Sequence, residues 1–361
     1  MNELQQIIRT EISAPGTMPF RRFMELALYH PEHGYYERQI QQVGRAGDFF
    51  TSVAVGPLFG RLLASQFARW FCKDETLIHI VEAGAHDGRL ATDVLAALQT
   101  EHPEVFARIS YIIVEPSEQR SKHQSRQLAK RSDKVMWVRD LTELGTKFGG
   151  IRGVIFSNEL LDAFPVEAHE WSAAERCWCE RGVTERDGGL EWCATGVATD
   201  PFRPALPAEL EQLLPDGFRF ETSAAAIGWW RAAAQLLISG RLLAFDYGDS
   251  REGLLAPGRA AGTLRAYRNH QMIDDLFADP GEQDLTAHVN WSSIQAAGES
   301  VGLTTTGPDS QGRFLTRVLE RAHRAESGRW NLGPKEIRQF QTLTHPAQLG
   351  SRFQAFVQRR E

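Results

Sequence analysis

Acidic residues and glycines cluster in residues 78–90, which read IHIVEAGAHDGRL. Glu82 comes just before a short loop, Gly84 and Gly88 lie in that loop, and Asp87 stands between the two glycines. Glycines allow a sharp turn and a close approach of the backbone to a ligand, and carboxylates accept hydrogen bonds from hydroxyl and ammonium groups. Two acids are unsuited to phosphate, and the G-x-G-x-x-G pattern of pyrophosphate loops is absent. This composition favours a neutral or cationic ligand with ribose and amine groups, for which S-adenosylmethionine (SAM) is a candidate.

The elements around this loop are predicted from the spacing of apolar residues. A short β-branched run precedes the loop and is typical of a strand buried on both faces of a sheet. The sequence RLATDVLAAL follows, with apolar residues at helical spacing. A loop between a strand and a helix is where α/β sheets usually hold a ligand. A glycine turn without a ligand is the alternative interpretation, because E-x-G-x-x-x-G also occurs by chance.

Polar side chains follow three further predicted strands. The sequence ISYIIVEPS predicts a second buried strand that ends at Glu115, and a carboxylate at the end of the second strand is placed to bind ribose hydroxyls. The sequence GVIFSNELLDAFPV runs from apolar residues into Asn158, Glu159 and Asp162, and GRLLAFDYGD ends near Asp246. For Asn158, Glu159 and Asp162, the alternative interpretations are a helix cap and solvated acids in the first turn of a helix. The alternation of strands and helices predicts a Rossmann-like α/β fold with a parallel sheet.

The composition limits the classes of protein to consider. The chain has 361 residues, 42% apolar and 24% charged, which is typical of a soluble globular protein. A net charge of −6 argues against a general nucleic-acid partner, and the basic run at residues 120–131 is interpreted as a solvated helix face. No apolar run approaches the roughly 18 residues of a membrane helix, and the N-terminus lacks signal-peptide character. We therefore expect a cytoplasmic protein with no membrane partner.

The cysteines and the chain organisation give further expectations. Cys177, Cys179 and Cys193 lack a C-x-x-C pair, so a zinc site is disfavoured and no metal is expected. We expect an N-terminal helical lid in residues 1–60 and the α/β core in residues 61–325. An insertion at about residues 168–235 contains a hairpin with a D-G-G turn, followed by a helix. A C-terminal helical extension is expected in residues 326–361.

Six ordered segments resemble the MidA-like family of class I SAM-dependent methyltransferases, which includes a mitochondrial complex I assembly factor that acts as a protein arginine methyltransferase. The segments are MELALYHPEHGYY, GDFFTS, VEAGAHDGRLA, SNELLDAFPV, FDYG, and GTLRAYRNHQ followed by PGEQDLTAHVNW. Together they extend over roughly residues 15–320. The resemblance implies a class I methyltransferase fold with SAM as the cofactor and a protein as the substrate.

The resemblance also implies roles for individual residues. The glycine loop would line the methionine and ribose side of SAM, Glu115 would bind the ribose hydroxyls, and the segment GDFFTS would fold over the cofactor. The predicted cofactor-binding residues are Glu82, Gly84, Asp87, Gly88, Glu115, Asp48, Thr51 and Ser52. The sequence departs from the family at His86, where a glycine is common, and at Val53 and Ala54, where a Pro-Glu pair is common.

The predicted chemistry is methyl transfer to a protein arginine. A guanidinium stays protonated in proteins, so a carboxylate has to fix its plane and bias one nitrogen toward attack. Glu159 is the candidate, with Asp162 or Asp246 in support. The family resemblance implies that Asn158 and Glu159 face the reaction centre. His270 and His288 are alternatives as general bases for other substrates, although hydrogen-bonded loop anchors are the simpler interpretation. Two other functions stay open: a SAM-binding assembly factor with little catalysis, and a small-molecule methyltransferase. A homodimer is also considered.

Overall fold

The computed structural model of the chain describes residues 2–39, 51–199, 204, 206–268, 271–325 and 330–361. In the described residues the helices are α1 (Glu3–Ser13), α2 (Phe20–Tyr29), α3 (Tyr35–Gln39), α4 (Ser52–Val55), α5 (Leu58–Lys73), α6 (Arg89–Glu101), α7 (Pro103–Arg108), α8 (Glu118–Gln127), α9 (Leu141–Phe148), α10 (Ala208–Glu211), α11 (Ala224–Leu236), α12 (Arg251–Leu254), α13 (Trp291–Glu299), α14 (Gln311–Ala325) and α15 (Pro334–Thr344). The strands are β1 (Met18–Pro19), β2 (His79–Ala83), β3 (Ser110–Val114), β4 (Val135–Val138), β5 (Ile151–Asn158), β6 (Glu167–Ser172), β7 (Cys177–Arg186), β8 (Gly189–Val197), β9 (Arg219–Thr222), β10 (Leu237–Asp249), β11 (Arg265–Arg268), β12 (Gln271–Ile273), β13 (Asp284–Thr286), β14 (Val289–Asn290), β15 (Thr304–Ser310) and β16 (Phe353–Arg360).

The chain divides into two compact units that differ from the predicted domains. The first unit contains Met1–Phe49, Leu161–Trp229 and Asp249–Ile294, and the second contains Phe50–Leu160, Trp230–Gly248 and Gln295–Glu361. The predicted boundaries at residues 60 and 325 do not coincide with the limits of these units, and they stay predictions. β1 near the N-terminus pairs with β7 inside the predicted insertion. Strand pairing between segments far apart in the sequence leaves no local signal from which these boundaries could be read.

The second unit is built on a twisted sheet with the strand order β15-β16-β10-β5-β2-β3-β4. The strands from β10 to β4 pair in parallel, and β16 pairs antiparallel with both β10 and β15. The strands β2 and β3 are buried over all but their first residues, as their continuous apolar runs predict. Helices cover the sheet, and their buried faces join its side chains in a large core that includes Phe67, Val94 and Phe156. The predicted Rossmann-like α/β fold is confirmed.

The C-terminal segment contains a strand as well as a helix. After α15, β16 enters the sheet between β10 and β15, with Ala244 paired to Phe356 and Thr306 paired to Val357. The predicted C-terminal helical extension is therefore wrong for residues 353–360. Their alternating sequence FQAFVQRR suits a strand, but the partners that make it one lie about 50 and 110 residues earlier in the chain.

The first unit is mainly antiparallel. Its larger sheet has the order β1-β7-β6-β9, with β8 paired to β7, and a smaller sheet has the order β12-β11-β13. The predicted D-G-G hairpin is confirmed between β7 and β8, where Asp187 and Gly188 both have positive φ. The apolar faces of α1 and α2 pack into a core that contains Ile8, Phe23 and Phe277.

None of the described helices is both long and apolar enough to span a membrane. The cysteines Cys177 and Cys179 lie on β7 and Cys193 lies on β8, all as free thiols. Within the described ranges, no group of three or more His, Cys, Asp and Glu side chains is placed to hold a metal ion.

Candidate active site

The carboxyl ends of the central strands bring the candidate residues together in the second unit. Ala83 at the end of β2 pairs with Val114 on one side and with Ser157 on the other. The residues that follow these three positions are Gly84, Glu115 and Asn158, so they lie side by side at one edge of the sheet. The chain runs outward from β2 through β3 to β4 and then returns to β5 on the other side of β2. Such a reversal of strand order opens a crevice at the carboxyl ends, where α/β proteins bind ligands.

Glu82 is a buried carboxyl group at this edge. Its side chain is 2% exposed and accepts a hydrogen bond of 2.6 Å from the hydroxyl of Tyr111 on β3. Burial raises the pKa of Glu82 to about 7, the Tyr111 hydrogen bond opposes this increase, and the charge of Asp87 adds to it. Glu82 can therefore change its protonation state near neutral pH when a charged ligand approaches.

The loop after β2 is held in left-handed backbone conformations. Gly84 has φ +74°, Gly88 has φ +81°, and His86 between them has φ +47°. A Cβ atom on Gly84 would lie 3.1 Å from Cδ1 of Leu160, so the backbone approaches its neighbour closely there. His86 stands where the family resemblance gives a glycine, and its conformation explains that preference, because a left-handed residue with a side chain costs about 1–2 kcal/mol. His86 adopts this conformation in spite of the cost.

Asp87 and Gly88 complete the loop and begin α6. The Asp87 carboxylate accepts a hydrogen bond of 3.0 Å from the backbone N–H of Arg89, and the Arg89 guanidinium lies 3.4 Å from it. Burial raises the pKa of Asp87, but hydrogen bonds from His86 and the Arg89 backbone outweigh it and bring the pKa to about 2. Asp87 is therefore a carboxylate at neutral pH, and the pKa values of Glu82 and Asp87 differ widely.

Glu115 follows β3 and is 5% exposed. Its Oε1 accepts from the backbone N–H of Ser117 at 3.0 Å and lies 3.5 Å from Nε of Arg120. Its Oε2 accepts from Nε2 of Gln124 at 2.9 Å. These contacts fix the carboxylate at the edge of the sheet, at the place predicted for a group that binds ribose hydroxyls.

Sequence reasoning missed Gln124 and misread its surroundings. The interpretation of residues 120–131 as a solvated helix face is wrong in part, because Gln124 is completely buried and Arg120 is only 17% exposed. The signal that could have revealed them is weak: Gln124 is an uncharged residue at helical spacing from Arg120 and Leu128 in an otherwise charged segment.

At the end of β5, Asn158 and Glu159 form a hydrogen-bonded pair. Nδ2 of Asn158 donates to Oε1 of Glu159 at 2.8 Å, whereas the buried Oδ1 of Asn158 has no hydrogen-bond partner among the described residues. Glu159 adopts a left-handed conformation with φ +53°, and its N–H donates to the carbonyl of Phe245 on β10 at 2.9 Å. The next N–H, of Leu160, donates to the buried carboxylate of Asp246 at 3.1 Å. The backbone therefore fixes where Glu159 stands.

The remaining predicted residues have different surroundings. The Thr51 hydroxyl accepts from the N–H of Ala54 and caps α4, and the buried hydroxyl of Ser52 donates to Oε1 of Gln311 at 2.9 Å. Their roles in cofactor binding stay predictions. Asp162 is 6% exposed and belongs to the first unit. Asp48 and His270 lie outside the described residues.

His288, the other candidate base, is a hydrogen-bonded loop residue in the first unit. Its Nδ1 lies 2.8 Å from a guanidinium nitrogen of Arg259, which can only donate, so Nδ1 is the acceptor. Burial, with the charges of Arg259 and Arg265, lowers the pKa of His288 to about 4. The imidazole is therefore neutral at physiological pH with its Nδ1 lone pair engaged, which agrees with the anchor interpretation.

The residues at this edge suit a ligand with hydroxyl, amine and cationic groups. The glycine loop offers a close backbone approach, Glu115 and Asp87 offer acceptors, and Glu82 is a buried carboxyl group that a cation would ionise. The buried Oδ1 of Asn158 adds an acceptor with no protein donor among the described residues. This set of acceptors fits the hydroxyl, amine and cationic groups of SAM. The strand order and this set together define the class of protein, a Rossmann-like SAM-dependent methyltransferase.

Comparison with known proteins gives the family. The model of the family described as "Putative S-adenosyl-L-methionine-dependent methyltransferase" matches residues 60–309. The protein arginine methyltransferase NDUFAF7 homolog, mitochondrial, of Drosophila melanogaster is 28% identical over 97% of this chain and 83% of its own length. The protein arginine methyltransferase NDUFAF7, mitochondrial, of Mus musculus is 26% identical over 96% of this chain and 82% of its own length.

A solved structure agrees with this assignment. The crystal structure of a Burkholderia thailandensis protein bound to S-adenosyl-homocysteine is 31% identical, with a TM-score of 0.82 over 99% of this chain and 92% of that one. The chain belongs to this family of SAM-dependent methyltransferases. It is an enzyme, and its cofactor is SAM.

Proposed function

We propose that this enzyme methylates arginine side chains of a protein substrate. The observation that carries the proposal is the pair of acceptors at the end of β5: the Glu159 carboxylate and the buried Oδ1 of Asn158, to which none of the described residues donates a hydrogen bond. A guanidinium offers five N–H donors in one plane, so neighbouring acceptors of this kind suit it. The names of the Drosophila and mouse relatives, protein arginine methyltransferases, support the same substrate class.

The protein itself contributes little covalent chemistry to this reaction. SAM supplies a methyl group activated by its sulfonium. The protein has to align the nucleophile with that methyl group and exclude water. A guanidinium also has to be held in one orientation and to lose a proton as the new bond forms, because it stays protonated in proteins. In this proposal Glu159 binds the guanidinium through charge-assisted hydrogen bonds and receives that proton, while Asn158 orients the carboxylate.

The position of Glu159 supports a catalytic role over a solvated helix acid. Its left-handed φ of +53° is costly for a residue with a side chain. Two backbone N–H groups maintain it: that of Glu159 donates to the carbonyl of Phe245, and that of Leu160 donates to the side-chain carboxylate of Asp246. A carboxylate held by the sheet itself keeps the geometry that an aligned transfer needs.

The test uses purified enzyme, SAM with a labelled methyl group, and a protein extract from cells that lack this enzyme. We expect label in methylarginine after acid hydrolysis, and label confined to other amino acids or to small molecules would overturn the proposal. The Glu159→Gln variant keeps the size of the side chain but loses its charge. It should lower turnover by about 100-fold or more and leave SAM affinity unchanged.

The matched control for that variant is Glu118→Gln, which alters a glutamate that is 81% exposed on α8. It should leave both turnover and SAM affinity unchanged. Full turnover in the Glu159→Gln variant would remove Glu159 from the mechanism. Asp162 stays a predicted supporting residue, and the same assay on Asp162→Asn tests it.

Location and assembly stay predictions. The sequence predicts a cytoplasmic protein, whereas the curated relatives carry the word mitochondrial in their names. Fractionation of cells that express a tagged full-length chain tests the location. Light scattering of the purified protein tests the predicted homodimer.

A further inference from the structure

The side chain of Gln124 on α8 joins three parts of the second unit. It is completely buried, and its Nε2 donates to the backbone carbonyl of His86 and to Oε2 of Glu115, both at 2.9 Å. Its Oε1 accepts from the indole Nε1 of Trp137 on β4, also at 2.9 Å. One amide therefore connects the glycine loop after β2, the carboxylate after β3, and the last central strand.

These bonds define the orientation of the amide and the type of residue. If the amide were turned by 180°, its oxygen would face two acceptors, at His86 and Glu115, and its NH₂ group would face the indole N–H of Trp137. A glutamate would present a second carboxylate to Glu115, and an aliphatic side chain would offer a hydrogen bond to none of the three partners. The site therefore requires two donors and one acceptor at the end of a side chain of this length, which is glutamine.

We propose that Gln124 is a positioning residue for SAM binding, because it sets the distance between the His86 peptide and the Glu115 carboxylate. Its aliphatic carbons also pack beside Gly88, where a Cβ would lie 3.5 Å from Cγ of Gln124. This inference rests on the assignment of SAM to this edge of the sheet, but not on the identity of the methyl acceptor. Gln124 acts through the loop and through Glu115 and does not touch the reacting atoms.

The backbone at His86 explains why the loop needs this support. A residue with a side chain is disfavoured at φ +47°, and such conformations persist only where surrounding contacts maintain them. The Gln124 amide holds the carbonyl of that residue. Without it, the loop is free to relax toward a conformation that His86 prefers, and Glu115 loses the donor that orients its Oε2.

The chain contains a matched control in Gln358 on β16. This glutamine is also completely buried, its Oε1 accepts from the indole Nε1 of Trp230 at 2.7 Å, and its Nε2 donates to Gln295 O at 2.9 Å and to Thr305 Oγ1 at 2.8 Å. Gln358 has the same set of two donated bonds and one bond accepted from a tryptophan, but it contacts neither the glycine loop nor Glu115. Replacing either glutamine by leucine removes an equivalent group of buried hydrogen bonds.

The experiment measures binding of SAM and S-adenosylhomocysteine by calorimetry to the full-length protein and to the variants Gln124→Leu and Gln358→Leu. Both variants should lower the thermal midpoint to a similar extent. Only Gln124→Leu should weaken both ligands, by about tenfold or more, which is about 1.4 kcal/mol. With a substrate in hand, KM for SAM should rise by a similar factor while kcat at saturating SAM stays within about twofold.

A double-mutant cycle with Glu115→Gln tests whether Gln124 acts through Glu115. The loss of affinity in the double variant should be smaller than the sum of the two single losses, because residues in one network are coupled. Unchanged affinity in Gln124→Leu, or equal weakening in Gln358→Leu, would overturn the inference. Normal SAM binding without any arginine methylation would overturn the proposed function instead and leave this inference intact.

Discussion

Replacing Glu82 by glutamine should change how the stability of the ligand-free protein depends on pH. Glu82 is 2% exposed, and burial raises its pKa from an ordinary 4.5 to about 7, against the opposing hydrogen bond from Tyr111. One pKa unit corresponds to about 1.4 kcal/mol, so the difference between the folded and unfolded pKa values is worth at most about 3 kcal/mol.

The sign follows from which state binds the proton. The folded protein holds the Glu82 proton in the range from about pH 4.5 to about pH 7, where the unfolded chain has lost it. The associated stabilisation is complete below about pH 4.5 and is lost as the pH rises through about 7. The Glu82→Gln variant keeps an uncharged group at every pH, so it should become progressively more stable than the wild type across this window.

The assay is urea unfolding of both proteins without SAM at several pH values from about 4.5 to about 8. The free energy of unfolding of the variant minus that of the wild type should increase by up to about 3 kcal/mol over this range. Titrating groups that do not interact with Glu82 cancel in this difference. Two parallel curves would refute the reasoning. The Tyr111→Phe variant tests the cause, since it removes the hydrogen bond that lowers the pKa of Glu82 and should extend the window to higher pH.

Two further predictions concern a close backbone approach and a cluster of like charges. Gly84→Ala should lower both stability and SAM affinity, because its new methyl would lie 3.1 Å from Leu160. Gly149→Ala at φ +66° has open space around the new methyl, so it should lose only the stability that the left-handed conformation costs, about 1–2 kcal/mol. Thermal denaturation compares the stabilities of the two variants, and calorimetry compares their affinities for SAM. If both variants lost the same stability and the same SAM affinity, the close backbone approach at Gly84 would contribute nothing. Arg321→Gln should raise the thermal midpoint slightly in low salt, because the repulsion that it removes, from Arg69 and Arg317, exceeds the attraction from Glu320. The gain should vanish in high salt, and a gain that persists there would exclude electrostatics as its cause.

The central strands could be predicted from the sequence because their burial leaves a local signal. The strands β2, β3 and β5 carry apolar residues on both faces, and each lies in a segment whose apolar run predicts a strand. The polar residues placed at the ends of these strands, including Glu82, Glu115 and Asn158, follow from the same signal. Once the strands are identified, the edge at which those residues meet is determined by the parallel arrangement.

Features that depend on distant partners could not be predicted. The strand β16 is an alternating segment whose role is decided by β10 and β15, and Gln124 is polar and buried only because Trp137 and the glycine loop surround it. The left-handed conformations of His86 and Glu159 could not be predicted either. Residues with side chains rarely adopt this conformation, and the identity of these two residues does not indicate it. In each of these cases the tertiary structure overrides the local preference.

The position of β16 in the sheet has a consequence for how the chain folds during synthesis. Gln354 on β16 pairs with Asp246 on β10, the residue whose carboxylate accepts from the N–H of Leu160 at the candidate active site. While the ribosome is still making residues 250–350, β10 has an open edge, and its backbone groups on that side lack their partners. The pairing of Asp246 with β16 therefore forms only after residues 353–360 have left the ribosomal tunnel. Until then, the unpaired edge of β10 is a surface that chaperones can protect.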